Sequence, residues 1–518
     1  MTPSGASSGD ERPELADAGR LARKLLQRAV RTARTQDQAL RAVLLDHLGP
    51  DAATLPTVSD TVPLYEQVNL QVGVEAWLAA SPARSHEVIG ITGVQQIRFN
   101  DVTIGDLVQA PTESMYGRAG VGAPVIMSLP SGPDGQTRPT LAFGIYLVRD
   151  GATRLAIMLR PSGLGVRHTE VNVQVVGTSM GLAEAALREI RELANEHSVF
   201  RGQMITFGPE LLGPGIGSTP LNFLPRPSVR RDEIVLPDEL LVDIERQVAG
   251  VAVHSRRLLA SGQHLKRGVL LYGAPGTGKT HTVRYLLGRL PDVTVIEISG
   301  RALGRIREAC SLARSLQPAI IVVEDVDLIA EERTARPGEH PLLFQLLNEM
   351  DGLTSAADVT FLLTTNRADL LEPALAARPG RIDLAAELPL PDADARRALL
   401  RLYQGHLILD DGDLEAVIER TEGVTAPFLR ELLRKAALLA AEDDRDSATD
   451  DPQGPIAVSG AQLTAALDAL FDSRRQLTRV LLGGHRATVP PRKDSMNAGL
   501  ADSSAAVPDI RTSPPAST

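Results

Sequence analysis

Eight consecutive residues, Gly273, Ala274, Pro275, Gly276, Thr277, Gly278, Lys279 and Thr280, constrain this chain more than any other stretch. An apolar run at 268–272 precedes them, and residues 281–290 have a helical pattern. A buried strand that turns through a glycine-rich loop into a helix points successive backbone amides inward at the positive end of that helix, where a phosphate can sit. In that geometry the Lys279 ammonium reaches the β- and γ-phosphates of ATP, and the Thr280 hydroxyl ligates Mg2+. His281, in the first helical turn, completes the residues expected around the nucleotide.

A second apolar run, residues 319–323, ends in Glu324, Asp325, Val326 and Asp327. Short continuous apolar runs are expected of central parallel strands, and ligands bind in the crevice at the carboxyl ends of such strands. One carboxylate there can hold Mg2+ and the next can take a proton from attacking water. A third run, 359–363, leads to Thr364, Thr365 and Asn366, which brings an amide to the same end of the sheet. Read alone, Asn366 is better taken as a turn residue. Arg378 and Arg381 flank a Pro-Gly corner that is suited to presenting a guanidinium to a neighbour's phosphate, although two plain surface arginines fit the same pattern.

The rest of the 518 residues organises around this module. Residues 1–13 read as disordered. Residues 14–48 have a helical stripe of Leu21, Leu25, Val30, Leu40 and Leu44, closed by Gly49-Pro50. Strands are expected at 141–148, 155–159, 171–176 and 203–207, with Asp150-Gly151 as a hairpin turn and a helix over 181–195. Together 14–207 form an α+β domain, followed by a Pro- and Gly-rich linker at 208–231. An α/β core follows at 232–390: a parallel sheet with helices on both faces. A helical segment occupies 391–482, including an acidic surface loop at 442–451, and the tail 483–518 is rich in Pro, Ser and Ala.

Composition narrows the functional classes. Aromatic residues are 3% of the chain and the formal net charge is −10, which disfavours stacking platforms and basic surfaces for nucleic acid. The single cysteine, Cys310, forbids an intrachain disulfide. No apolar stretch has signal-peptide character and none is long enough to span a membrane, so a cytoplasmic protein is expected. No His-Glu-x-x-His sequence occurs, so no fused metalloprotease of that type is expected.

Taken together, these motifs resemble the AAA branch of the AAA+ ATPases over about 240 residues of this chain. The resemblance is carried by the phosphate loop and by Asn348, Glu349, Met350, Asp351, Gly352 and Leu353. It continues through the Thr364–Arg367 run, Glu372-Pro-Ala-Leu375, and Arg378-Pro-Gly-Arg381-Ile382-Asp383. Thr421-Glu422-Gly423 and the helical pattern of 427–440 look like the family's lid. The resemblance implies an ATPase core with a small α-helical lid and a ring, usually a hexamer. It implies Asn366 as the sensor beside the γ-phosphate, and Arg378 and Arg381 as arginine fingers acting across subunits.

Two departures bear on function. Most relatives place Asp before Glu at the strand end, whereas this chain has Glu324 on the metal side and the shorter Asp325 as base, an order also found in a branch with mitochondrial translocation relatives. Slower hydrolysis is the expectation. The segment after Ile298 passes through Arg301-Ala302-Leu303-Gly304 into a helix, with no aromatic to grip polypeptide. Three functions compete: a remodeller of protein complexes that takes a client through 14–207, a nucleotide switch or assembly protein without threading, and, least favoured, a nucleic-acid motor. Without threading, ATP is expected to move the N-terminal domain relative to the ring.

Overall fold

In a computed structural model the residues described are 40–92, 102–109, 119–162, 170–208, 221–299, 304–327, 342–368, 381–443 and 454–472. The expectations for 1–39, 473–518, the corner carrying Arg378, and most of the acidic loop lie outside them. The described residues begin with helix α1 (Leu40–Leu48), strand β1 (Thr57–Pro63), α2 (Gln67–Ala79), β2 (Arg84–Thr92) and α3 (Ile104–Gln109). Then come β3 (Gly120–Gly122), β4 (Val125–Pro130), β5 (Thr137–Asp150), β6 (Thr153–Ser162), β7 (Glu170–Gly177) and α4 (Met180–Glu196).

These strands build one antiparallel sheet in the order β1-β7-β6-β5-β2-β3, with β4 pairing β5. Its strands bury both faces. Phe143, Ile145 and Leu147 of β5 meet Leu40, Leu44 and Ile104 on one side. Tyr146 and Val148 meet Leu70, Trp77, Ala183 and Ile190 from α2 and α4 on the other. The expected hairpin turn at Asp150-Gly151 joins β5 to β6, with Gly151 at a φ of 60°. The expected helix is α4, capped by Ser179, whose side chain accepts from the Leu182 amide.

The second half continues with β8 (Met204–Phe207), β9 (Leu221–Leu224), α5 (Asp238–Glu245), α6 (Val251–Ala260), β10 (Arg267–Tyr272), α7 (Lys279–Gly288) and β11 (Thr294–Ile298). It then adds α8 (Ile306–Ser315), β12 (Ala319–Val323), α9 (Leu342–Asp351), β13 (Val359–Thr365) and β14 (Leu384–Glu387). The sheet order is β14-β10-β13-β12-β11-β8-β9. All neighbours are parallel except β9, which runs antiparallel to β8. Ile320, Ile321, Val322 and Val323 are buried, as a strand covered on both faces requires.

This sheet corrects two boundaries. The strand expected at 203–207 does not close the N-terminal domain; it pairs with β11 and extends the ATPase sheet. Part of the expected linker is β9, the edge strand of the same sheet. Arg226, also within that linker, donates to the carbonyls of Leu287, Leu290, Gly202 and Val293 at 2.8–3.1 Å. One core runs through the junction: Tyr65, Val68 and Leu129 of the N-terminal domain pack with Phe200, Phe207, Ile306 and Cys310.

The expected helical lid consists of α10 (Ala393–Gln404), α11 (Asp411–Arg420), α12 (Ala426–Asp443) and α13 (Gly460–Phe471). It has its own core around Leu400, Phe428, Leu432 and Leu467. Among the described residues no helix is long and apolar enough to cross a membrane.

Candidate functional site

Three parallel strands deliver the site residues to one end of the sheet. β10 feeds the phosphate loop, β12 ends at Glu324-Asp325, and β13 ends at Thr365-Asn366. Gly278 adopts a φ of 99° as the chain turns into α7, a backbone that a residue with a Cβ rarely takes. The lid closes over the loop at Gly276, where an added Cβ would lie 3.0 Å from Thr425 Oγ1. Between core and lid lies a cavity of about 780 Å3, lined on the loop side by Pro275 to Thr282 and on the strand-end side by Asp325, Thr364 and Asn366. Gly273 and Ala274 begin the loop just behind it, and Thr280 and His281 face the cavity.

The Lys279 Nζ donates to the carbonyls of Gly273 at 2.8 Å and Ala274 at 2.9 Å. Burial pushes its pKa below the ordinary lysine range, and the carboxylates of Asp325 and Asp327 pull it back up. A buried ammonium beside inward-facing amides is a strong site for an anion of high charge, such as a triphosphate.

Asp325 and Asn366 meet directly: the Asn366 Nδ2 donates to Asp325 Oδ1 at 3.2 Å. The Asp325 amide donates to Thr364 Oγ1 at 3.2 Å. Asp325 has a φ of 51°, in the left-handed region that Asp tolerates better than longer side chains do. That backbone supplies a physical reason for the shorter carboxylate at this position. Glu324 is half-buried at the end of β12 and lies beside Glu297, whose pKa is raised by burial and, secondarily, by the Glu324 charge.

Of the two oxygen donors expected for Mg2+, Thr280 lines the cavity and Glu324 does not. Among the described residues no group of three His, Cys, Asp or Glu side chains able to hold a metal occurs.

Arg381 is not presented as a finger. It is 2% exposed and grips Asp351, with Nε 2.9 Å from Oδ1 and a second contact from Nη2 to Oδ2. The neighbouring Asp383 accepts from the Gly268 amide through Oδ2 at 2.8 Å, and its own amide donates to the Gly268 carbonyl at 2.8 Å. The Asp383 bonds fix this segment against β10, and the Asp351 bonds tie Arg381 to α9. Arg378 lies outside the described residues.

The sequence reading missed the lid's share of the cavity. Tyr403 and Arg430 line it together, with the guanidinium 5.8 Å from the ring centroid, and Ile234 and Val235 add an apolar wall. Only the spacing of α10 and α12 hinted at these positions.

Comparison with known proteins agrees with this geometry. The family model for AAA, the ATPase family associated with various cellular activities, matches residues 269–390. The chain is 36% identical over 234 residues to the ATP-dependent zinc metalloprotease FtsH of Mycobacterium leprae (strain TN), a match covering 42% of this chain and 28% of that protein. It is 34% identical over 263 residues to FtsH 2 of Sphaerobacter thermophilus, covering 47% of this chain and 39% of the relative. It is 32% identical over 240 residues to the proteasome-activating nucleotidase of Thermococcus onnurineus (strain NA1), covering 44% and 60% respectively. The chain therefore spans well under a third of the Mycobacterium leprae relative and three fifths of the nucleotidase. Phosphate loop, Asp325, Asn366 and helical lid thus line one cavity, and the chain carries, at residues 269–390, an ATPase module of the AAA branch of the AAA+ family.

Proposed function

We propose that this chain binds and hydrolyses ATP and couples the cycle to remodelling or disassembly of a protein complex. The observation that carries the reading is the contact of Asn366 with Asp325 in the cavity that Lys279 also lines. In this reading Lys279 and the loop amides hold the phosphates, and Thr280 and Glu324 hold Mg2+, which neutralises phosphate charge when bound. Asp325 accepts the proton of the attacking water and Asn366 orients that water. Arg378 of a neighbouring copy completes the site in a ring, with six copies as the working number. The client docks on the N-terminal domain, and the protein acts in the cytoplasm.

A second reading is an ATP-dependent switch or assembly protein with slow turnover and no threading. The short connection from β11 to α8, residues 299–305, favours it, because those residues include no aromatic. Pulling a chain needs a side chain with large contact area and little rotamer entropy to lose. Steady-state ATPase assays and unfolding of a tagged fluorescent β-barrel separate the two. Turnover with loss of fluorescence, both dependent on Lys279, supports the threading remodeller. Turnover without loss of fluorescence supports the switch, and no turnover with pure, assembled protein contradicts both.

A further inference from the structure

The mechanism proposed above leaves one buried carboxylate at the site unused. Asp327 is 8% exposed, two residues beyond Asp325, and does not line the nucleotide cavity. Its Oδ1 accepts from the Thr365 hydroxyl at 2.8 Å and from the Asn366 amide at 3.3 Å. Asn366 in turn donates its side-chain amide to Asp325, and the Asp325 amide is held by Thr364 Oγ1. The ends of β12 and β13 are therefore tied by a set of bonds in which Asp325, Asp327, Thr365 and Asn366 are each held twice. Thr365 is fully buried, and its Oγ1 also accepts from the Arg367 amide at 3.0 Å, so its hydroxyl has little freedom to turn away.

We infer that Asp327 is a positioning residue for hydrolysis: through Thr365 and the Asn366 backbone it sets the amide of Asn366 opposite Asp325, without itself touching nucleotide. This rests on the reading of Asp325 as base and Asn366 as the water-orienting amide. Displacing Asn366 disturbs the angle between water, phosphate and base but leaves the phosphate loop intact, so the effect falls on turnover and not on binding. Small misplacements of this kind are costly, because catalysis depends on near-attack geometry.

The test uses the full chain with ATP and Mg2+. Asp327→Ala and Thr365→Val should each lower kcat on the order of 10- to 100-fold, with ATP affinity within about twofold of the parent. Asp327→Asn keeps an acceptor oxygen for both bonds and should restore most of the turnover. The double variant Asp327→Ala/Thr365→Val should be no slower than the slower single one, because both break one linkage. Unchanged kcat in Asp327→Ala and Thr365→Val overturns the inference. So does a joint fall of kcat, ATP affinity and melting temperature that Asp327→Asn shares, which marks a purely structural residue. Asp325→Asn run alongside separates the two levels. If it turns over like the parent, the reading of the site fails, whereas a slow Asp325→Asn beside fast Asp327 and Thr365 variants defeats this inference alone.

Discussion

The N-terminal domain and the lid are both appended to the ATPase core, and they are attached in opposite ways. The N-terminal domain shares a hydrophobic core with it, through Tyr65 and Leu129 against Phe207 and Ile306, and the chain leaving it becomes two strands of the ATPase sheet. Arg201 adds bonds to the carbonyls of Gln317 and Ser315 on the core. The lid has a core of its own and meets the phosphate loop across the nucleotide cavity. The cavity lies between lid and core, and the packing at the other junction does not line it. These attachments predict that the N-terminal domain and the core move as one body and that the lid is the part that responds to nucleotide, a different picture from ATP swinging the N-terminal domain against the ring.

The sharpest way to break the comparison is Phe428→Ala. Phe428 is fully buried in the lid, its ring centroid 5.2 Å from that of Phe471. Its truncation should cost the lid about 3–5 kcal/mol. Calorimetry should show an early lid transition while the transition of core and N-terminal domain stays in place. A single transition that shifts as a whole would mean that the lid is not separate.

Lys279→Ala comes next. Removing a charge-assisted phosphate contact should weaken ATP binding on the order of 100-fold. Hydrogen exchange in α12 should then become indifferent to ATP. Undiminished affinity in a nucleotide titration would mean that the phosphate loop does not hold the nucleotide.

Arg226→Ala removes four bonds to carbonyls in α7, in the turn before β11 and just before β8, and should cost about 2–3 kcal/mol. Denaturant unfolding should show the N-terminal domain and the core losing stability together, with the lid unaffected. Separate midpoints for the N-terminal sheet and the ATPase sheet would argue against one body.

The smallest effect expected is on pH dependence. His47 is buried in the N-terminal domain, with Nε2 3.0 Å from the Leu155 carbonyl, and burial lowers its pKa below 6.5. Above about pH 6.5 it is neutral in both folded and unfolded chains. As the pH falls, the unfolded chain binds the proton first, so this contribution is lost until the folded pKa is passed. Melting curves between pH 7 and 5 should show the shared transition falling with pH, less steeply in His47→Gln, and a slope unaltered by the substitution would remove His47 as the cause.

What could be read in advance was local. Strand, glycine-rich loop and helix are contiguous, so 268–290 announced their geometry, and the carboxylates and Asn366 followed from runs that end at the same side of a parallel sheet. Pairing between distant segments was hidden. The strand expected at 203–207 is short, and nothing in it says whether β7 or β11 is its neighbour. Residues 51–135 resisted reading because α2 is buried almost all round, Gln67, Asn69 and Gln71 included, so the helical alternation of polar and apolar residues is missing. Arg381 read as an exposed corner because its partner, Asp351, lies thirty residues earlier on α9.

The order of Glu324 and Asp325 is the most direct point at which to test the account. ATP binding and single-turnover hydrolysis should be measured side by side in Asp325→Asn and Glu324→Gln. If Asp325 faces the water and Asn366, Asp325→Asn binds ATP and hydrolyses it about 10²–10⁴-fold more slowly, while Glu324→Gln raises the Mg2+ concentration needed for turnover. ATP trapped by Glu324→Gln, with normal hydrolysis in Asp325→Asn, would contradict the assignment.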